Sequence, residues 1–161
     1  MPKQTHEVRI TLSVLDRLID YEPDISREPP VSRERSMRIL KQAIRRDLEW
    51  LLNAREPLFE VTPDHELVSG SVATYGLADF STMSVKNATD QTQMRRMIED
   101  KLRIFEPRLL DVVVSLEPPR DLDRSVRFRI NARLRVDPSP EPVTFDTTLN
   151  LYSGEYEVKG D

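Results

Sequence analysis

Residues 90–116 read DQTQMRRMIEDKLRIFEPRLLDVVVSL, and the hydrophobic period changes inside them. Met94, Met97, Ile98, Leu102 and Phe105 are spaced for one face of a helix. Asp90 is placed to cap its start, with Gln93 positioned to reach back. Leu110, Val112, Val114 and Leu116 then fall at every second position, the period of a strand. Glu106, Pro107 and Arg108 occupy the switch between the two. Pro107 lacks an N–H and holds Glu106 in extended geometry, so the helix ends there. Two readings of Arg108 follow. It can satisfy carbonyls at the helix end, or it can form, with Glu106, a stiff polar knob presented to a partner.

C-terminal to this switch, Val126, Phe128, Ile130, Ala132, Leu134 and Val136 alternate with Arg127, Arg129, Asn131, Arg133 and Arg135, which predicts a two-faced strand. Asp137-Pro138-Ser139-Pro140 turns the chain, and Val143, Phe145, Thr147, Leu149 and Leu151 form the inner face of another strand. Ser153-Gly154 turns into Tyr156 and Val158. The short connections predict antiparallel neighbours. N-terminal to the switch, a helix from Val31 or Ser36 to Asn53 carries Met37, Leu40, Ile44, Leu48 and Leu51 on one stripe. Ile39, Ala43, Trp50 and Leu52 widen that stripe, and Arg45, Arg46, Asp47 and Glu49 are read as including the solvent face. Residues 56–86 have no clear period and read as a long, irregular connection. The fold class predicted is α+β in two layers. Helices pack on one face of a C-terminal antiparallel meander of three to four strands, within a single domain over 31–161.

Residues 1–30 read as an N-terminal arm. Leu15, Leu18 and Ile19 share one side of a short helix that Ser13 can cap, and Asp16-Arg17 lies between them. Pro23, Pro29 and Pro30 make the following stretch an extended linker. The segment is either a docking peptide or a piece that folds back onto its own core.

Composition removes several function classes. The net charge of −4 gives no electrostatic argument for nucleic acid or an anionic membrane. The absence of cysteine excludes disulfides, thiolate metal sites and cysteine nucleophiles, and fits a reducing cytoplasm. Four glycines leave no room for a glycine-rich phosphate loop, so no nucleotide cofactor is expected. The N-terminus lacks the apolar core of a signal peptide, and no apolar run approaches a membrane span. Only two histidines occur, His6 and His65, and neither belongs to a metal-ligand or triad pattern, so no metal is expected. Among 28 acids only Glu106 has a conspicuous local setting, with no second acid marked as its partner.

The arginine stripe Arg127, Arg129, Arg133 and Arg135 could grip phosphates, but that face lacks stacking aromatics, so nucleic acid is not the expected partner. The stripe can instead pair across strands with Asp111, Asp146, Glu155 or Glu157, or meet a protein. A free sheet edge is a further candidate docking surface.

Several separated pieces together resemble the TssE family, the small baseplate subunit of bacterial type VI secretion systems, which is similar to a wedge protein of the contractile phage tail. They are residues 13–18 (SVLDRL), 46–53 (RDLEWLLN), 75–80 (YGLADF), 105–109 (FEPRL) and 141–147 (EPVTFDT), with alanine at 78 where the family pattern has proline. The resemblance implies a structural, non-catalytic role, although the name "lysozyme-like" is attached to the family. It implies a cytoplasmic place in the baseplate wedge, with TssF, TssG and TssK as partners and the TssB/TssC sheath adjoining. Three partner-binding surfaces follow: Glu106, Pro107 and Arg108; the arm residues Leu15, Asp16, Arg17 and Leu18; and the sheet arginines Arg127, Arg129, Arg133 and Arg135. On this reading Arg108→Ala blocks assembly and leaves the isolated chain folded.

Overall fold

The computed structural model describes residues 10, 12–19, 24, 32–57, 66–80, 83–84, 86–117, 125–150 and 153–160. Among these residues, four α-helices and one short 3₁₀ turn precede a four-stranded sheet. In chain order they are α1 (Val14–Leu18), α2 (Arg33–Asn53), α3 (Glu66–Ser69), the 3₁₀ turn Val72–Thr74, α4 (Ala88–Phe105), β1 (Leu109–Leu116), β2 (Ser125–Leu134), β3 (Glu141–Asn150) and β4 (Tyr156–Gly160). The strands pair in sequence order, all antiparallel. This is the α+β meander that the alternating periods predict. His6, His65, Leu151 and most of the proline-rich linker lie outside the described residues.

The core is continuous across the two layers. Ile44, Leu48 and Leu52 of α2 and Ile98 and Leu102 of α4 are buried with Val114, Ile130, Leu134, Phe145 and Val158 of the sheet. Helix α4 lies along β1 and α2 along β4. On the outer face, Arg129, Asn131 and Arg133 of β2 and Arg135 just after it are exposed, and Arg127 is half-buried.

Four local expectations need correction. Asn87, not Asp90, caps α4: its side chain accepts from the Thr89 N–H. Asp90 instead accepts from the Ser84 N–H, holding the incoming loop. Trp50 does not widen the buried stripe of α2; it is 53% exposed, with the Arg46 guanidinium 4.8 Å from its ring centre. Arg46 and Asp47 are not simply solvated, since both belong to an ion-pair network. Finally, β1 does not alternate strictly. Its register shifts between Leu110 and Val113, where Asp111 takes a left-handed φ of 51°, so Leu109, Val112 and Val114 face the core. Aspartate tolerates that conformation better than a branched residue does.

Both sheet edges carry a plug from a helix. Glu99 of α4 accepts from the Val114 N–H on β1 at 2.8 Å. Asn53, at the end of α2, accepts from the Tyr156 N–H and donates to the Tyr156 carbonyl, both at 2.9 Å on β4. Asn53 thus bonds like one residue of a neighbouring strand. The edge as an open docking surface is corrected at these positions, because backbone groups already bonded offer no template for an added strand.

Candidate functional site: the charged junction at the helix-to-strand switch

The switch is built by backbone chemistry first. Glu106 ends α4, its N–H still bonded to the Leu102 carbonyl, and Pro107 can offer no further helical donor. The Leu109 N–H returns to the Glu106 carbonyl, and the Arg135 N–H donates to the Arg108 carbonyl at 2.8 Å. Those bonds fix the turn between the end of α4 and the end of β2. Their consequence is to aim Glu106 and Arg108 at each other. Arg108 Nε donates to Glu106 Oε1 and Nη2 to Oε2, both at 2.5 Å. This is the paired fork geometry in which guanidinium and carboxylate bind most strongly.

Glu106 is turned inward, only 4% exposed, so it is not a knob standing on the surface. Arg108 spans from it to α2, where Nη2 also donates to Asp47 Oδ2 at 2.6 Å. Arg46, one residue earlier on α2, donates to Asp47 Oδ1 and reaches Asp16 Oδ1 at 2.8 Å. Arg108 Nη1 lies 3.9 Å from Asp16 Oδ2. Three carboxylates (Asp16, Asp47, Glu106) and two guanidiniums (Arg46, Arg108) therefore meet where α1, α2 and the switch converge.

The electrostatics follow from the geometry. Burial opposes the charge on Arg108, but the bonds and charges of Glu106 and Asp47 outweigh it and raise its pKa. Burial pushes the Asp16 carboxyl up, yet the hydrogen bonds from Ser13 and Arg46 and the charges of Arg46 and Arg108 hold it below the usual aspartate value. Tyr75, beside the cluster, is raised by burial and by the charges of Asp47 and Glu106. Both Glu106 oxygens are engaged by Arg108. Among the described residues no group suited to hold a metal ion occurs.

A groove of about 290 Å³ opens against the cluster. Leu15, Trp50, Tyr75 and Phe105 line it together with Asp47, Glu106 and Arg108. Tyr75 meets Phe105 edge to face, with ring centres 5.2 Å apart. Lys101 Nζ, 5.8 Å from the Phe105 ring centre, is fixed to Glu56 and to the Thr74 carbonyl. Val14 and Leu18 stand outside the groove at 73% and 76% exposure.

The sequence-derived residues thus separate into two groups. Asp16 joins Glu106, Pro107 and Arg108 at one junction, with Leu15 on the groove and Arg17 and Leu18 exposed beside it. The sheet arginines lie on the outer face. Arg129 pairs with Asp146 at 2.6 Å and Glu117 at 3.5 Å, and Arg133 pairs with Asp111 across the bulge. These are the cross-strand partners that opposite charges find on one face of a sheet. Arg46 and Asp47, central to the junction, open one of the family-like pieces of the sequence but are not among its candidate partner-binding residues. Two charges in succession on a helix usually mark its solvated side, and nothing local distinguishes an inward-turned pair.

The comparison with known families bears on this site. Residues 38–139 match the model of the family described as baseplate wedge protein gp25. The chain belongs to the gp25 baseplate wedge family. Family membership gives it a structural role in a phage-tail-like baseplate. The gp25-like match includes Arg46, Asp47, Glu106 and Arg108, whereas Asp16, β3 and β4 lie outside it. A crystal structure at 1.44 Å from Geobacter sulfurreducens, of a protein provisionally called a tail lysozyme, aligns with 74% of this chain and 94% of its own. The identity is 15% and the TM-score 0.42. No curated protein matches the chain.

Proposed function

We propose that this gp25-family chain is the small, non-catalytic wedge subunit of a type VI secretion baseplate. In this role it links the wedge subunits TssF, TssG and TssK to the first ring of the TssB/TssC sheath and helps start sheath assembly. Residues 31–161 act as one unit and residues 1–30 as an arm, at the cytoplasmic face of the envelope. The observation that carries the docking site is the apolar rim around the charged junction. Trp50 is 53% exposed and shares the groove with Tyr75 and Phe105, beside a network already held rigid by its own ion pairs. Exposed apolar side chains around a preorganised polar centre are what a partner buries with little ordering cost. The arginine-faced outer surface of the sheet is the second contact, turned toward the sheath.

No helix among the described residues is long and apolar enough to cross a membrane. Co-purification from cells that make the apparatus, wild type beside Trp50→Ala, tests the reading. Wedge and sheath subunits should accompany wild type and be reduced with the variant. Equal recovery would move the wedge contact elsewhere. Absence of such partners from both samples would return the chain to a small adaptor that docks on another protein. Clearing of a peptidoglycan suspension at any pH would instead establish a cell-wall glycosidase.

A further inference from the structure

Helix α1 has five residues and buries none of them. A helix that short does not persist on its own propensity. Ile10 and Leu12 before it pack against the core and Leu15 lies on the groove, but at the junction itself the turn is held by polar contacts. Ser13 Oγ accepts from the Asp16 N–H and donates to Asp16 Oδ2, which fixes the carboxylate. That carboxylate is 4% exposed, and Oδ1 takes one hydrogen bond from Arg46 Nη2 at 2.8 Å. Toward Arg108 the fit is incomplete. Nη1 of Arg108 is buried and makes no hydrogen bond among the described residues, and Asp16 Oδ2 stops 3.9 Å short of it. A charge-assisted bond would bring these atoms to about 2.8 Å.

The remaining residues do not depend on Asp16 for their order. Arg46 is held by Asp47, and Arg108 by Glu106 and Asp47. Two guanidinium edges therefore face one position in a preformed frame. The side chain that fills it is short, tethered through Ser13, and satisfies one edge only.

We propose that Arg46 and Arg108 form a carboxylate-binding site that Asp16 fills in the free protein, and that an acidic side chain of the docking partner displaces the Ser13–Leu18 turn from it on assembly. This rests on the docking reading given above. An acid arriving without the Ser13 tether can reach both guanidiniums. The released turn then exposes the Leu15 and Trp50 side of the groove to the same partner.

The test uses the full chain and Asp16→Asn, which keeps the shape of the side chain and removes its charge. Trypsin cleavage after the exposed Arg17, quantified by mass spectrometry, reads release of the turn. In the free chain, Asp16→Asn should be cut roughly tenfold faster, with the main thermal transition retained. An unchanged rate would overturn the latch. With the co-purified wedge subunits, Arg17 of wild type should be cut at least as fast as in the free chain. Asp16→Asn should bind them roughly tenfold more tightly, since a latch closed about nine-tenths of the time weakens its competitor about tenfold. Protection of Arg17 in the complex, with weaker binding by Asp16→Asn, would overturn displacement and make the turn itself the contact. Loss of wedge partners from both samples would overturn the docking reading and the displacement with it; the free-chain rates would still decide whether Asp16 is the latch.

Discussion

Replacing Arg108 by methionine removes the guanidinium and keeps most of the stem. The structure says what is left behind. Glu106, 5% exposed at its side chain, loses both of its hydrogen-bond donors. Asp47 keeps Arg46, so its loss is small. Breaking a buried ion pair by removing one partner costs about 3–5 kcal/mol. Arg108 is itself 26% exposed at its side chain, and solvent screens part of the interaction, which places the cost near the lower end, about 3 kcal/mol. For a chain of this length that lowers the melting temperature by about 6–12 °C. The chain should still fold at room temperature, because a domain's total stability is about 5–15 kcal/mol. Glu106→Gln added to Arg108→Met removes the stranded charge and should recover about half of the loss. Urea titration followed by the single tryptophan, Trp50, and by far-ultraviolet circular dichroism reads both numbers. A loss under about 1 kcal/mol, or a double variant no better than the single, would refute the idea that Glu106 and Arg108 are an internal pair.

Three further outcomes follow from individual contacts. Asp16 has a depressed pKa in the folded state, so its contribution is complete above the ordinary aspartate value of 3.8 and is lost as pH falls through the folded value; Trp50 emission, reporting the turn packed beside Arg46, should stay constant down to that pH and shift below it. Thr147 is 1% exposed and its hydroxyl has no hydrogen-bond partner among the described residues, so Thr147→Val should raise stability by about 1 kcal/mol in thermal unfolding. Asn53→Ala removes the plug from the β4 edge; it should cost about 1–2 kcal/mol and produce concentration-dependent self-association on size exclusion, whereas a strictly monomeric variant would show that α2 alone covers the edge.

The elements legible in the sequence were those with one dominant period. Met37, Leu40, Ile44, Leu48 and Leu51 repeat at three and four and are all buried on α2. Val126 to Leu134 alternate without exception and form β2. Where two signals compete, local pattern is ambiguous. Residues 109–114 are apolar at every position but Asp111, so period alone could not show that the bulge brings Leu109 rather than Leu110 inward. Asp90 has the type and spacing of a cap, but Asn87 has them too, and only the path of the preceding loop decides between them. Trp50 looks like core by type and is held at the surface by Arg46.

The site was half legible for a similar reason. Pro107 marks the switch because its effect is local. The ion pairs of Arg108 with Asp47 and of Arg46 with Asp16 join residues 61 and 30 positions apart, and charge alone carries no such address.

Photocrosslinking inside cells that build the apparatus tests the assembly role most directly, with a photoreactive amino acid in place of Trp50, on the groove beside Arg108. Capture of other baseplate subunits at this position is expected. Capture of no baseplate subunit there, while the apparatus still assembles, would contradict that role.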